Sequence, residues 1–130
     1  MSENLDLVRS IYADWERGDF RSIEWADPGI EFVVIGGPTQ GQFHGIPEMA
    51  RRMRDFLTTW EGYRIKAEDY RELDDERILV LTRDTARGRT SGVDTVQRRA
   101  RLFHLQGGKV TRIISYWDRD RAVADLGIEP

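Results

Sequence analysis

Two strand-like runs, Val93–Leu105 and Lys109–Trp117, lie on either side of Gly107-Gly108 in the last third of this 130-residue chain. β-Branched and aromatic residues on either side of a glycine turn predict a β-hairpin. An aromatic-acid exit, Tyr116-Trp117-Asp118, follows, and then an Ala/Leu segment, Arg119–Leu126, that closes on Gly127. Asp118 is suited to cap that segment as a short helix, and Gly127 to end it in a left-handed conformation. A sheet wetted on one side alternates apolar and polar residues. Here both parities are apolar: Phe103, Leu105, Ile113 and Trp117 form the odd set, and Ala100, Leu102, Val110, Ile114 and Tyr116 the even set. Both faces of this hairpin are therefore expected to be covered, one by helices and the other by a second copy of the chain in a homodimer.

The helices are found upstream. Leu5, Val8, Ile11, Tyr12 and Trp15 recur at three- and four-residue spacing and predict an amphipathic helix over Leu5–Arg17, capped by Ser2 and stopped at Gly18. Asp19 is read as the cap of a second short helix, Phe20–Trp25, and Ala26-Asp27-Pro28-Gly29 as a turn. Ile30–Ile35 reads as a strand, broken at Gly36-Gly37-Pro38, with a polar loop running to Gly45. A second apolar stripe, Ile46, Met49, Ala50, Met53, Leu57 and Trp60, predicts a helix over Pro47–Trp60. Tyr63–Glu72 and Arg77–Gly88 complete the strands, and Gly88-Arg89-Thr90-Ser91-Gly92 is a hairpin turn, since no helix follows it to make a phosphate loop. Helices first and a strand meander afterwards give an α+β fold of one domain over 1–130, with the helices on one face of the sheet.

Composition narrows the function. With no cysteine, disulfides, thiolate chemistry and thiolate metal sites are excluded. A net charge of −3 argues against a nucleic-acid partner. Arg51-Arg52 and Arg54 are read as the solvated side of the second helix. No apolar run is long enough to cross a bilayer, and Met1–Ser10 lacks the apolar region of a signal peptide, so a cytoplasmic protein without membrane contact is expected. No cofactor or metal is expected.

Several segments carry a resemblance: Trp15-Glu16-Arg17-Gly18-Asp19-Phe20, Phe43-His44-Gly45, Leu105-Gln106-Gly107-Gly108-Lys109-Val110, Tyr116-Trp117-Asp118 and Arg121–Gly127. In this order and spacing the chain resembles the SnoaL-like branch of the nuclear-transport-factor-2-like (NTF2-like) superfamily, which includes ketosteroid isomerase and limonene epoxide hydrolase. The resemblance covers nearly the whole length. It implies a cone-shaped, strongly bent antiparallel sheet closed by the N-terminal helices, a cystatin-like α+β barrel over a deep cavity.

Register decides which side chains face that cavity. A two-residue Gly107-Gly108 loop would set Arg101 beside Ile114 and Arg99 beside Tyr116. A three-residue loop, Gln106-Gly107-Gly108 with Gly108 left-handed, would pair Arg99 with Ser115, Arg101 with Ile113 and Phe103 with Thr111. The three-residue loop is preferred because a lone glycine directly before the second strand suits it. The resemblance implies it too, since position 115 matches a cavity-facing aspartate of the epoxide hydrolase. The inward residues are then Gln97, Arg99, Arg101, Phe103, Ile113, Ser115 and Trp117, and the resemblance, through its alignment of the preceding strand, implies that Thr82, Asp84 and Ala86 turn inward too. Tyr12 or Trp15, and Trp25 or Met53, supply the apolar roof.

The residues that the superfamily's known mechanisms need are missing. At the positions matching the epoxide hydrolase triad stand Asp84, Ala86 and Ser115; at those matching the ketosteroid isomerase base and tyrosine stand Val33 and Ile11. Arg101 falls near the histidine of the polyketide cyclases, without a clear aspartate partner. His104 is read as structural on the outer face, and His44 as a loop residue that could alternatively reach the cavity mouth.

The candidate site is therefore Asp84 and Arg101 as catalytic pair, with Tyr12, Trp15, Met53, Arg99, Phe103, Ser115 and Trp117 as ligand contacts. Either Asp84 is a base and an arginine steadies a developing enolate, or the same residues are a buried ion-pair network. The expected ligand is a small apolar or weakly anionic molecule. The expected function is binding of such a molecule, or cofactor-independent isomerisation, cyclisation or dehydration of a small carbonyl or polyketide-like compound. The alternative is a non-catalytic ligand-binding or dimerisation module.

Overall fold

A computed structural model describes residues 2–37, 40–89 and 91–128; Pro38 and Thr90, which the sequence places in turns, lie outside the described residues. Helix α1 spans Glu3–Glu16, with the Ser2 hydroxyl accepting from the Leu5 amide and Gly18 in the left-handed region just beyond. Its stripe Val8, Ile11, Tyr12 and Trp15 is buried. Residues 20–25 form no helix. The Asp19 carboxylate accepts from the Arg21 amide two residues on, which is an Asx turn instead of a helix cap. Strand β1, Ala26–Ile35, starts earlier than the sequence predicts, and the expected turn at Asp27-Pro28-Gly29 is a bulge within it.

A short strand, β2 (Gly41–His44), occupies part of the stretch read as loop. Helix α2 spans Ile46–Thr59 with Pro47 in its first turn. Then come β3 (Trp60–Glu72), β4 (Arg77–Gly88), β5 (Asp94–Gln106), β6 (Lys109–Tyr116) and helix α3 (Arg119–Leu126), capped by Asp118 and ended by left-handed Gly127. The six strands form one curved, open sheet in the order β2-β1-β6-β5-β4-β3. All neighbours are antiparallel except β1 and β6, which run parallel. The pairing returns the chain from the end of the meander to its first strand.

The β5–β6 turn is the two-residue alternative and not the preferred three-residue loop, and a bulge beyond it makes the register differ from both expectations. Gln106 pairs with Lys109, so the loop is the two-residue Gly107-Gly108, each with positive φ (58° and 76°) as a type I′ turn requires. Thr111 then bulges out of β6, and beyond it Arg101 pairs with Ser115 and Phe103 with Ile113. Relative to the three-residue expectation the pairing moves by two residues, which keeps every side chain beyond the bulge on its expected face. Before the bulge the face is inverted. Val110, expected outside, is fully buried in the helix-side core with Leu105.

The outer face is corrected as well. Leu79, Leu81, Ala100, Leu102 and Tyr116 form a second buried cluster with Ala122 of α3, and Leu126 packs against it. One chain thus covers much of the surface that the sequence reading assigned to a partner copy. No described helix is long and apolar enough to cross a membrane.

Candidate functional site

Between α2 and the inner sheet face lies a cavity of about 210 Å³. Its walls are mainly apolar: Trp15, Phe20, Phe32, Val34, Met53, Phe56, Leu57, Trp60, Ile65, Ile113 and Trp117. On the sheet side β5 and β6 contribute the polar groups Arg99, Arg101 and Ser115 and β3 contributes Tyr63, while α2 adds Arg52, Asp55 and Thr59. Arg52, read from the sequence as solvated, borders the cavity and lies 4.1 Å from the Phe43 ring centroid. A smaller chamber of about 80 Å³ adjoins it, bordered by Asp84, Ala86, Thr95 and Gln97. Phe56, Trp60, Tyr63, Arg99 and Trp117 border both spaces and so form the partition between them.

The inner parity of β4 and β5 brings the charges together. Asp84, with its side chain 2% exposed, accepts at Oδ2 from the Arg101 guanidinium (2.9 Å) and from the Tyr63 hydroxyl. Arg101 also donates to the Thr82 hydroxyl at 3.1 Å and to the Tyr63 hydroxyl at 3.3 Å. Arg99 Nε is 3.8 Å from the same Asp84 oxygen, beyond hydrogen-bond reach. The Arg99 guanidinium instead stacks 4.0 Å from the Trp117 ring centroid and 5.3 Å from that of Phe56. Neither Arg99 Nε nor Asp84 Oδ1 has a hydrogen-bond partner among the described residues.

Protonation follows from these contacts. Burial works to raise the Asp84 pKa, but the Arg101 charge and the hydrogen bonds from Arg101 and Tyr63 outweigh it, with Arg99 adding its charge; the carboxyl is held below its usual value. Burial pushes Tyr63 up to about 12 against the charge of Arg101, and the Asp84 carboxylate adds to the rise. Burial lowers Arg99, with the Arg101 charge acting in the same direction. For Arg101 burial also acts downward, but the Asp84 carboxylate reverses it and holds the guanidinium charged. Two arginines thus share one carboxylate in a largely apolar setting.

No family model matches the sequence, and no curated protein is significantly similar to it. Solved structures do match. An NTF2-like protein of Burkholderia thailandensis is 21% identical over 100% of both chains, with a TM-score of 0.81. TerC, crystallised with polyporic acid, is 19% identical over 96% of this chain and 98% of its own, at 0.78. A candidate SnoaL-like polyketide cyclase of a Jannaschia species is 14% identical over 98% and 94%, also at 0.78. The fold is NTF2-like.

Within this NTF2-like cavity, Trp15, Met53, Arg99, Arg101, Ser115 and Trp117 line the larger space, and Asp84 borders the smaller one. Tyr12 and Phe103 are placed differently from the expectation that they contact a ligand. Both are fully buried in the packed core, with ring centroids 5.8 Å apart, behind the wall. Trp25 belongs to the same core. His104 is half-buried across from Arg112 on β6, and His44 is exposed on edge strand β2; neither borders the cavity.

The sequence reading missed Tyr63, which donates to Asp84. Strand β3 departs from regular pairing between Glu61 and Arg64 and again between Ala67 and Asp69. Simple alternation therefore could not assign its faces. The available signal was Tyr63 itself, an aromatic with a polar tip at the start of a strand next to an inward acid.

Proposed function

We propose that the larger cavity binds a small, mostly apolar molecule bearing one acidic or enolic oxygen. The observation that carries this reading is the charge balance at its polar side: Arg99 and Arg101 are both buried against the single carboxylate of Asp84. Arg101 is engaged with Asp84, Thr82 and Tyr63, whereas Arg99 makes no hydrogen bond among the described residues. Arg99 is therefore the free electrophile, and its contacts with the Trp117 and Phe56 rings hold the guanidinium without consuming its donors. The aromatic walls suit a flat organic body. That TerC, of the same fold, was crystallised with an acid agrees with this class of ligand.

Binding is better supported than turnover. Isomerisation, cyclisation or dehydration by proton transfer would use Asp84 as the base, with a guanidinium steadying the enolate. A carboxylate held below its usual pKa and already accepting two hydrogen bonds is a weak proton acceptor at neutral pH. Tryptophan fluorescence can follow binding, because Trp15, Trp60 and Trp117 line the cavity. Naphthoate should quench it at a concentration about tenfold or more below that needed for neutral naphthalenemethanol, since a charged hydrogen bond contributes about 1.5–3 kcal/mol. Equal affinity for the two probes would sink the proposal.

Homodimerisation is a separate proposal. It rests on Ile114 and His104, which are only partly buried on the outer strand face.

A further inference from the structure

The smaller chamber has features of its own. Asp84 borders it and its side chain is 2% exposed, yet Oδ1 has no hydrogen-bond partner among the described residues. Arg99, 8% exposed at its side chain, borders it too, and its Nε is likewise unpartnered. A buried acceptor and a buried donor each left unpaired cost free energy, and a group that satisfies both recovers it. Two neighbouring donors at the wall are already engaged: Gln97 donates to the Trp117 carbonyl and Thr95 to the Ala86 carbonyl. Among the described residues, the buried groups left vacant at this wall are thus Asp84 Oδ1 and the Arg99 Nε–H.

Their chemistry selects the occupant. An ammonium group could donate to Asp84 but would face two guanidinium charges. A second carboxylate could accept from Arg99 but would face Asp84. A hydroxyl does both, donating to Oδ1 and accepting from Nε, with no charge to repel. The chamber, at about 80 Å³, has room for a small substituent. Phe56, Trp60, Tyr63, Arg99 and Trp117 border both spaces, which therefore adjoin at these side chains.

We propose that the smaller chamber is a hydroxyl subsite: a ligand lying in the larger cavity passes a hydroxyl group across the partition to Asp84 and Arg99. This makes the ligand class a hydroxylated, mostly apolar acid. The inference rests on the reading of the larger cavity as an acid-binding site. It gives Asp84 the role of recognising a donor, for which a carboxylate that stays ionised is suited.

The test compares naphthoate with its hydroxy and methoxy isomers by calorimetry, on the parent protein and on Ala86→Leu. Ala86 borders the smaller chamber only, so a larger side chain there fills the subsite. In the parent, at least one hydroxynaphthoate should bind about tenfold more tightly than naphthoate, as a charge-assisted hydrogen bond allows, and its methyl ether should show no such gain. In Ala86→Leu the ratio should fall to about one. A melting curve checks that the variant folds, and Ala86→Val, which adds less bulk, replaces it if it does not. If naphthoate binds but no hydroxy isomer gains, the subsite inference is overturned and the cavity reading stands. The subsite is equally overturned if the gain survives filling the chamber, or if a water held there in every complex does the pairing. If naphthoate binds no better than naphthalenemethanol, the acid-binding reading fails and the subsite falls with it.

Discussion

The Arg99 guanidinium lies 4.0 Å from the centroid of the Trp117 ring, and the same indole packs closely against Gly37. The stack holds a charge that has no hydrogen bond of its own in an orientation where it can meet a ligand. Removing the indole should therefore weaken acid binding without removing the charge. Trp117→Leu is expected to lower naphthoate affinity by about three- to tenfold, in line with a cation–π contact of about 0.5–2 kcal/mol. Fluorescence titration of the remaining tryptophans measures it. Unchanged affinity would show that Arg99 does not need the stack.

Gly37 tests the same indole. A Cβ there would lie 2.5–2.8 Å from three carbons of the Trp117 indole, and the residue has a φ of +74° that L side chains avoid. Gly37→Ala should displace the indole, with a loss of stability of at least about 1 kcal/mol from the backbone conformation alone. Near-ultraviolet circular dichroism should change with the melting temperature. A variant that melts and absorbs like the parent would contradict this packing.

Arg101 is expected to matter more for folding than Arg99. Its loss would leave Asp84 buried without its nearest positive partner, which typically costs about 3–5 kcal/mol. Arg101→Ala should therefore melt well below Arg99→Ala. The pH dependence has a definite sign. The folded-state pKa of Asp84 is depressed, so its contribution to stability is complete above the ordinary aspartate value and is lost as pH falls through the folded value. Urea titrations of the parent should show this loss on the acid side. Asp84→Asn should be less stable at neutral pH and should lack that part of the dependence.

Leu102 separates folding from assembly. It is 2% exposed within a single chain, between β4 and β6 and under the cluster that α3 completes. Leu102→Asp should unfold the chain, because a buried unpaired charge is costly, and should not yield a folded monomer. Ile114→Glu is the variant that addresses the proposed dimer. Light scattering at tens of micromolar should show the parent at twice the chain mass and this variant at one. A monomeric parent would end the dimer proposal.

Local sequence determined most of the elements. The Ser2 cap, the Val8–Trp15 stripe, the stop at Gly18, the Asp118 cap and left-handed Gly127 each depend on residues within a few positions, so the sequence is enough to place them. The inward set Thr82, Asp84, Arg99 and Arg101 was reached through the resemblance and a loop one residue too long; it holds because the bulge at Thr111 restores the parity and alternation along β4 and β5 is unbroken. Other features lay beyond local reading. Phe20–Trp25 has apolar residues suited to a helix, but Trp25 and its neighbours are drawn into the core and the chain crosses to β1 as a turn.

The bulges at Thr111 and in β3, the parallel pairing of β1 with β6, and the cover that α3 lays on the outer face were decided only by tertiary structure. Each depends on contacts between segments far apart in sequence. A bulge changes a strand's facing by one residue wherever the partner strand and the core require it, and no residue type marks the place. That is why the hydrogen bond from Tyr63 and the partition between the two chambers could not be read from the chain, while the inward facing of Asp84 and Arg101 could be reached through the resemblance.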